Sequence, residues 1–251
     1  MIIFNTDLDN TIIYSYKRDI GKDKICAEIY QGREISFITK RTAELLKEVN
    51  EKVLIVPTTT RTQEQYERID LGIGTPKYAL VCNGGVLLVD GEEDRQWYDE
   101  SRAMVEDCAK ELEAARDTLE KEKRRTLDVR FIRELFVFTK SDEPQATVER
   151  LKMALDTKKI DVFSNGVKVY AVPKALNKGR AVRRLAQKLG AEKIVAAGDS
   201  EFDVTLLNAA DTALAPKDFP LPQLLTGKYR IMTEDGIFSE YVLQNVLCEA
   251  K

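Results

Sequence analysis

Short apolar runs alternate with stretches of helical periodicity in the first third of the chain. The runs Ile2–Phe4, Val53–Val56 and Tyr78–Cys82 are continuous and short, as expected for strands that are buried on both faces. Between them, Lys40–Asn50 carries apolar side chains at helical spacing, and Gln63–Leu71 is predicted to form a second helix. This strand–helix–strand order predicts a parallel, doubly wound α/β sheet.

The middle of the chain has a different pattern. It predicts a long amphipathic helix, two antiparallel strands, a helix that begins at a proline, and a hairpin around Asn165-Gly166: Arg102–Lys123, Leu127–Ile132, Glu134–Thr139, Pro144–Asp156, and Ile160–Phe163 with Val167–Val172. Helices combined with paired strands favour a separate α+β unit. We place this inserted cap at residues 91–174, between the core segments 1–90 and 175–251.

The α/β pattern resumes after this insertion. It predicts a helix, three strands and a closing helix: Asn177–Leu189, Lys193–Ala197, Thr212–Leu214, Tyr229–Met232 and Gly236–Cys248. The predicted fold class is therefore α/β, with a Rossmann-like doubly wound parallel core and an inserted α+β cap.

Composition narrows the possible chemistry. The 251 residues are 43% hydrophobic and 32% charged, which allows a sizeable core, and the net charge of −3 argues against a nucleic-acid-binding surface. The chain has no histidine, which excludes Ser-His-Asp and Cys-His nucleophile systems and His-ligated zinc. Acid–base chemistry near neutral pH must therefore use carboxylates, Lys, Tyr or Cys.

The cysteines and the N-terminus indicate where the protein acts. The four cysteines are widely spaced and have no CxxC pair, as is typical of reduced thiols: Cys26, Cys82, Cys108 and Cys248. We see no signal-peptide pattern and no apolar run of membrane-spanning length. We therefore expect a cytoplasmic protein that acts on small molecules without a membrane partner. The sequence does not indicate an oligomeric state.

The segment Asp7–Thr11, which reads Asp-Leu-Asp-Asn-Thr, directly follows the first predicted strand. Ligands bind at the carboxyl ends of strands in open α/β sheets. There, one carboxylate can attack an electrophile while its neighbour acts as general acid and base, and together they suit Mg²⁺. The competing interpretation is an acidic turn or helix cap.

Three further segments each lie at the end of an apolar run or at the start of a helical pattern: Thr58–Arg61, Asn177–Gly179 and Gly198–Asp203. In this order the four segments resemble the motifs of the haloacid dehalogenase superfamily of phosphohydrolases, and most closely its Cof-like and sucrose-phosphatase-like branch. The resemblance implies that Asp7 is the nucleophile and Asp9 the general acid and base. It also implies that Asp7 and the backbone carbonyl of Asp9 bind Mg²⁺, and a carboxylate at Asp9 favours phosphoryl transfer over dehalogenation.

The resemblance assigns further roles. Thr59 would bind the phosphate with Arg61, although Thr58 is the alternative and Thr60 stands where relatives carry Gly. Lys178 would neutralise charge at the reacting group, with Lys174 as the nearby competitor. Asp199 would bind the metal directly and Asp203 from its outer shell, and Phe202 replaces a common Asn. Asn83 and Gly84 resemble a pair near the substrate entrance of the Cof-like branch, with an ordinary turn as the alternative. In the cap, the sequence offers candidates to touch the leaving group, with ordinary surface positions as the alternative: Arg130, Arg133, Asn165, Lys168 and Tyr170.

These observations predict a Mg²⁺-dependent phosphatase of a small phosphorylated metabolite, such as a sugar phosphate, acting through an aspartyl-phosphate. A phosphomutase or phosphotransferase of the same fold is the first alternative. A non-catalytic sensor of a phosphorylated ligand is the second.

Overall fold

A computed structural model of the chain describes residues 1–250, which divide into two compact units. The first unit joins Met1–Asp94 to the chain from Lys178 onward, and the second is Arg95–Asn177. The strands are β1 (Ile2–Thr6), β2 (Tyr14–Ser15), β3 (Lys24–Tyr30), β4 (Arg33–Thr39), β5 (Leu54–Pro57), β6 (Tyr78–Val81), β7 (Val86–Val89), β8 (Glu92–Glu93), β9 (Arg130–Ile132), β10 (Phe136–Lys140), β11 (Ile160–Asn165), β12 (Lys168–Pro173), β13 (Lys193–Ala197), β14 (Thr212–Ala215) and β15 (Tyr229–Ile231). The helices are α1 (Lys40–Asn50), α2 (Gln63–Tyr66), α3 (Arg95–Val105), α4 (Ala109–Glu120), α5 (Pro144–Ala154), α6 (Lys178–Leu189), α7 (Val204–Leu207) and α8 (Phe238–Glu249).

A five-stranded sheet forms the centre of the first unit, in the order β15-β14-β13-β1-β5. All four pairings are parallel, and Ile3 of β1 lies between Ile194 and Leu54 of its neighbours. The inner strands are buried along almost their whole length, which explains why most of their residues are apolar. The predicted α/β class with a parallel sheet is confirmed.

Two smaller sheets complete the first unit, in the orders β2-β4-β3 and β6-β7-β8. The segment Tyr78–Cys82 was expected in the parallel sheet, but β6 pairs antiparallel with β7, and Leu80 forms a parallel bridge with Thr58. The β3–β4 hairpin was not predicted at all. It turns at Gln31-Gly32, where both residues have positive φ.

The second unit is a four-stranded antiparallel sheet in the order β11-β12-β10-β9, with α4 and α5 on one face. Its core contains Leu112, Leu119, Val137 and Leu151. As predicted, Pro144 lies in the first turn of α5, and β11 and β12 form a hairpin at Asn165-Gly166.

Two helix predictions were wrong in extent. The long helix over 102–123 is interrupted by a 3₁₀ turn at Glu106–Cys108, which separates α3 from α4. The buried residues Val105, Cys108 and Leu112 keep helical spacing across this turn, so the apolar pattern looks continuous in sequence. The helix expected at Gln63–Leu71 ends at Tyr66. Within residues 1–250, no helix has both the length and the apolar character needed to cross a membrane.

Candidate active site

The carboxyl ends of three parallel strands bring the predicted site residues together. Asp7 follows β1 and its N–H donates to the carbonyl of Ala197 at 2.9 Å, while the N–H of Thr58, after β5, donates to Thr6 at 2.7 Å. The Gly198–Asp203 segment begins where β13 ends. Residues 190 positions apart in sequence therefore lie at one edge of the sheet, where open α/β folds bind ligands.

Lys178 links the first and last motifs. Its ammonium donates to Asp7 Oδ1 at 2.5 Å and to Asp203 Oδ1 at 2.7 Å, and its side chain is 1% exposed. Lys178 is the first residue of α6, whose start packs closely on α7. A Cβ at Gly179 would lie 2.0 Å from the carbonyl oxygen of Thr205, so only glycine allows this approach.

Asp203 organises the loop after β13. Its Oδ2 accepts bonds from the backbone N–H groups of Asp199 and Ser200, at 3.1 and 3.0 Å, and from the Ser200 hydroxyl at 2.8 Å. A Cβ at Gly198 would lie 2.3 Å from the Cβ of Asp203, which explains the glycine before Asp199. With Lys178 on its other oxygen, Asp203 is a fully engaged carboxylate, as suits an outer-shell position.

Asp199 has neighbours from the first motif. The Asn10 side chain acts to lower the pKa of Asp199, and the Thr11 hydroxyl lies 3.5 Å from Asp199 Oδ1. Asn10 has φ of 59°, in the left-handed region that Asn tolerates better than most residues. This conformation explains why an Asn is suited to position 10.

The site carries more negative than positive charge. Burial and the charge of Asp203 are the main causes that raise the pKa of Asp199 to about 7. Burial also raises the pKa of Asp7 well above its usual range, with smaller contributions from Asp203 and Asp199, although Lys178 opposes this. Burial would lower the pKa of Lys178, but Asp203 and Asp7 outweigh it and the net shift is upward. Lys178 therefore stays protonated, and two carboxylates compete to ionise.

This donor set fits a hard divalent cation. Asp7, Asp199 and Asp203 can each offer an oxygen such that the three oxygens lie within 4.8 Å of one another. Carboxylate oxygens are the ligands that Mg²⁺ takes in proteins, and a divalent cation would relieve the repulsion that raises the pKa of Asp7 and Asp199. The Asp9 carboxylate points elsewhere, which leaves its backbone carbonyl as its predicted contribution.

The three threonines after β5 have different environments. Thr58 Oγ1 is bonded within the sheet, where it accepts from Asn5 Nδ2 at 3.2 Å and donates to the Val56 carbonyl at 3.1 Å. Thr59 Oγ1 accepts from the N–H of Arg61 at 3.2 Å, so its own hydrogen can be donated to a ligand. Thr60 is absent from the positive-φ residues, so the local backbone does not need the glycine that relatives carry there.

Arg61 contacts carboxylates in this structure. Its Nε and Nη2 donate to Asp9 at 2.8 and 2.7 Å in a bidentate pair, and its Nη1 donates to Glu28 Oε1 at 2.9 Å. Sequence reasoning assigned Arg61 to phosphate and missed Glu28 entirely. The available signal was a lone acidic residue inside an apolar, strand-like stretch, Ile25–Tyr30.

The predicted entrance residues form a strained turn beside Thr59. Cys82, Asn83 and Gly84 all have positive φ, at 52°, 59° and 86°, and the Asn83 N–H donates to the Thr59 carbonyl at 2.9 Å. Left-handed conformations at non-glycine residues persist where surrounding structure enforces them, and they concentrate at functional sites. The turn thus fixes Asn83 and Gly84 next to the second motif.

The remaining candidates lie in the second unit, away from the carboxylate cluster in sequence. Arg130 is on β9 and Arg133 follows it, with its guanidinium 4.3 Å from the Tyr98 ring centroid. Asn165 and Lys168 flank the β11–β12 turn. Tyr170 stacks between Phe138 and Phe163, at centroid distances of 5.4 and 5.8 Å.

The chain is similar to known proteins in both sequence and fold. A family model described as haloacid dehalogenase-like hydrolase matches residues 91–219, just over half of the chain, including Lys178, Asp199 and Asp203. A phosphoglycolate phosphatase from Methanopyrus kandleri is 30% identical over 142 residues, which cover 53% of this chain and 56% of that protein. The chain therefore spans only a little more than half the length of that curated relative.

Solved structures share the fold over the whole chain. The sucrose-phosphatase from Synechocystis sp. PCC6803, solved with sucrose and phosphate, has a TM-score of 0.63 at 15% identity, with 100% of this chain and 97% of that one covered. The trehalose-6-phosphate phosphatase from Aspergillus fumigatus has a TM-score of 0.53 at 13% identity, with 99% and 92% covered. At these identities the likeness concerns the fold, while the family follows from the matching model. The chain belongs to the haloacid dehalogenase-like hydrolases.

Proposed function

We propose that the protein is a Mg²⁺-dependent phosphatase that hydrolyses a small phosphorylated metabolite of the sugar-phosphate kind. The observation that carries the proposal is the buried ammonium of Lys178 between Asp7 and Asp203, with Asp199 beside them. A nucleophilic carboxylate can approach an anionic phosphate only where positive charge offsets their repulsion. Lys178 supplies one such charge, and the three carboxylates supply a place for a second.

In the first step, a carboxylate oxygen of Asp7 attacks phosphorus in line with the leaving oxygen. The new bond joins Asp7 to phosphorus, the bond from phosphorus to the leaving oxygen breaks, and Asp9 gives its proton to that oxygen. The alcohol departs and an aspartyl-phosphate remains. Thr59 donates its hydroxyl hydrogen to a phosphoryl oxygen throughout, and Lys178 balances the charge on Asp7.

In the second step, Asp9 takes a proton from water, which attacks the same phosphorus. The bond from phosphorus to Asp7 breaks, inorganic phosphate leaves, and Asp7 and Asp9 return to their starting states. A single carboxylate two residues from the nucleophile thus serves as acid and then as base. Asp9 suits this role because its side chain is half exposed, within reach of an incoming water.

Asp7, Asp199 and the Asp9 backbone carbonyl would hold Mg²⁺, with Asp203 outside them. When bound, the ion supplies positive charge that stabilises the phosphoryl group as it is transferred. Asp203 would support this site indirectly, because one of its oxygens accepts from the Asp199 backbone N–H and the other from the Lys178 ammonium.

The relatives support the substrate class. The similar proteins described above are named for phosphoglycolate, sucrose and trehalose-6-phosphate, which are small acids or sugars. We place the discrimination among such substrates in the Arg95–Asn177 unit, as a cap, and in Asn83 and Gly84 of the core.

The test is a screen of purified protein against a panel of phosphorylated sugars and small acids, with inorganic phosphate release as the readout. We expect activity that requires Mg²⁺, disappears with a chelator and is absent from a folded Asp7→Asn variant. Release that persists in Asp7→Asn would identify a contaminant or another mechanism. Absence of Asp7-dependent release on the whole panel would overturn the proposal.

A further inference from the structure

The hairpin strand β3 has an inverted burial pattern. Glu28 is 1% exposed, whereas the neighbouring Ile29 and Tyr30 are 57% and 46% exposed. A strand folded only for stability would bury the isoleucine and expose the carboxylate. Reversals of this kind in otherwise consistent structures are concentrated at functional sites.

A bulge in β3 produces this inversion. The β3–β4 register shifts between Cys26 and Glu28 and shifts again between Glu28 and Ile29, so that Glu28 faces Ser36. Bulges change the direction of a side chain locally, and they are frequent beside active sites. The Asp70 N–H, which donates to the Ala27 carbonyl at 2.8 Å, holds the bulged strand to the chain after α2.

The Glu28 carboxylate is held by three side chains. Oε1 accepts from Arg61 Nη1 at 2.9 Å and from Arg68 Nε at 3.1 Å, and Oε2 accepts from the Ser36 hydroxyl at 2.8 Å. Burial alone would raise the pKa of Glu28, but the bonds from Arg61, Ser36 and Arg68 outweigh it and lower the pKa. Glu28 is therefore a fixed, ionised anchor for two guanidinium groups.

Arg61 connects Glu28 to Asp9, the proposed general acid and base. Its side chain is 14% exposed and spans from Glu28 to Asp9, where two of its nitrogens meet the two carboxylate oxygens. The Asp9 side chain is 52% exposed, and each of its two carboxylate oxygens accepts a bond from Arg61. A planar bidentate pair fixes both the position and the plane of a carboxylate.

We propose that Glu28 is a positioning residue for catalysis, which orients Arg61 so that Arg61 holds the Asp9 carboxylate in place for proton transfer. The proposal rests on the phosphatase function above, and it assigns a catalytic purpose to the β3–β4 hairpin. Proton transfer requires hydrogen-bond reach between the carboxylate and the leaving oxygen or water, so misplacement of Asp9 weakens it without affecting attack by Asp7.

Dependence on the leaving group separates positioning from general damage. An alkyl ester such as 2-glycerophosphate needs its leaving oxygen protonated, whereas 2,4-dinitrophenyl phosphate releases a stable anion without help. The parameter kcat/KM reports the steps up to departure of this group. In Glu28→Gln we expect kcat/KM to fall about tenfold or more for the alkyl ester and about twofold or less for the aryl ester.

Two variants keep the test sound. Glu34→Gln removes a carboxylate from the exposed side of β4 in the same hairpin, and it should match the wild type on both esters. Ser36→Ala removes one bond to Glu28 and leaves the charge, so it should fold even if Glu28→Gln does not, and it should show the same split at smaller size. Equal falls on both esters, or no fall on either, in a folded variant would overturn the proposal.

A measurement independent of turnover separates this proposal from the phosphatase function. In ¹H–¹⁵N spectra of arginine side chains, the Arg61 Nε–H should be protected from exchange in the wild type and in Glu34→Gln, and exposed in Glu28→Gln. An unchanged Arg61 signal in Glu28→Gln would refute the positioning role whatever the enzyme hydrolyses. If the signal responds but no ester is cleaved in an Asp7-dependent way, the phosphatase function fails and the catalytic purpose of Glu28 fails with it.

Discussion

The ammonium of Lys178 lies 2.5 Å from Asp7 Oδ1, although 170 residues separate the two in sequence. Both side chains are almost completely buried, and the same ammonium contacts Asp203. Burying a Lys with two carboxylates costs desolvation free energy, and well-packed apolar residues at the same positions would stabilise the fold as well or better. The pair therefore indicates that this part of the sheet edge serves chemistry more than stability.

Replacing Lys178 by Met should reduce kcat/KM for any phosphorylated substrate by about 100-fold or more, because the charge that offsets Asp7 and phosphate is lost. Steady-state kinetics with matched protein concentrations would measure this. Lys174→Met is the control. Within residues 1–250, the salt bridge of Lys174 is an exposed one, to Asp161 at 3.3 Å. Comparable losses in the two variants would show that Lys178 has no special part in turnover.

The two aspartates after β13 should differ in their effect on metal affinity. Asp199→Asn removes the proposed direct ligand and should weaken Mg²⁺ binding, measured by calorimetric titration, more than Asp203→Asn does. The outer-shell change should cost on the order of 10- to 100-fold, because Asp203 acts through the backbone of Asp199 and through Lys178. The ranking is wrong if Asp203→Asn binds Mg²⁺ more weakly than Asp199→Asn.

Metal-free protein should lose stability as the pH rises. The pKa of Asp199 is about 7 in the folded protein, against about 3.9 for an unfolded aspartate. The unfolded chain therefore releases this proton first, so the free energy of unfolding should fall from about pH 4 to about pH 7 and level off above. Asp7, whose pKa is also raised, acts in the same direction.

Denaturant unfolding without metal at several pH values would measure this slope. Asp199→Asn should flatten it, and added Mg²⁺ should stabilise the wild type more at pH 8 than at pH 5, because the ion replaces a proton. A wild type that gains stability from pH 5.5 to 7.5, or a variant with the same slope, would contradict the assignment.

Thr58 and Thr59 offer a matched pair of substitutions. Thr59→Val should weaken inhibition by inorganic phosphate several-fold, because it removes a hydroxyl that can donate to the ligand, and it should also lower stability somewhat, because the Arg61 N–H loses its acceptor. Thr58→Val should leave phosphate affinity unchanged but lower stability by about 1 kcal/mol or more, since Asn5 loses its buried partner. The opposite outcome would place the phosphate at Thr58.

Much of the core was predictable because its physics is local. The strands β1, β5 and β13 are buried on both faces, so continuous apolar runs mark them in the sequence. The side chains that follow these strands meet at one edge of the sheet because the strands are parallel. The left-handed Asn10 and the close contact at Gly198 explain the residue types of two motifs once the backbone is seen. Neither is visible from residue spacing.

The β3–β4 hairpin and Glu28 could not be predicted for an equally physical reason. The bulge breaks the alternation of buried and exposed positions on which strand prediction depends, and it places Ile29 outside and Glu28 inside. The partners of Glu28 also come from two other segments, at Arg61 and Arg68, so no local pattern records the cluster. Arg61 was assigned to phosphate from the resemblance and from its fork of N–H donors, which suits carboxylates equally, as its bonds to Asp9 and Glu28 show.

If Asp7 is the nucleophile, it carries the phosphoryl group covalently during turnover, and this intermediate can be trapped. The enzyme would be mixed with Mg²⁺ and its best substrate, quenched in acid during turnover, and treated with borohydride, which reduces an aspartyl-phosphate to homoserine. Mass spectrometry of the peptide that contains Asp7 should find homoserine at position 7 in the wild type and no conversion in Asp7→Asn. Conversion at another aspartate, or steady turnover by a folded Asp7→Asn protein, would contradict the account.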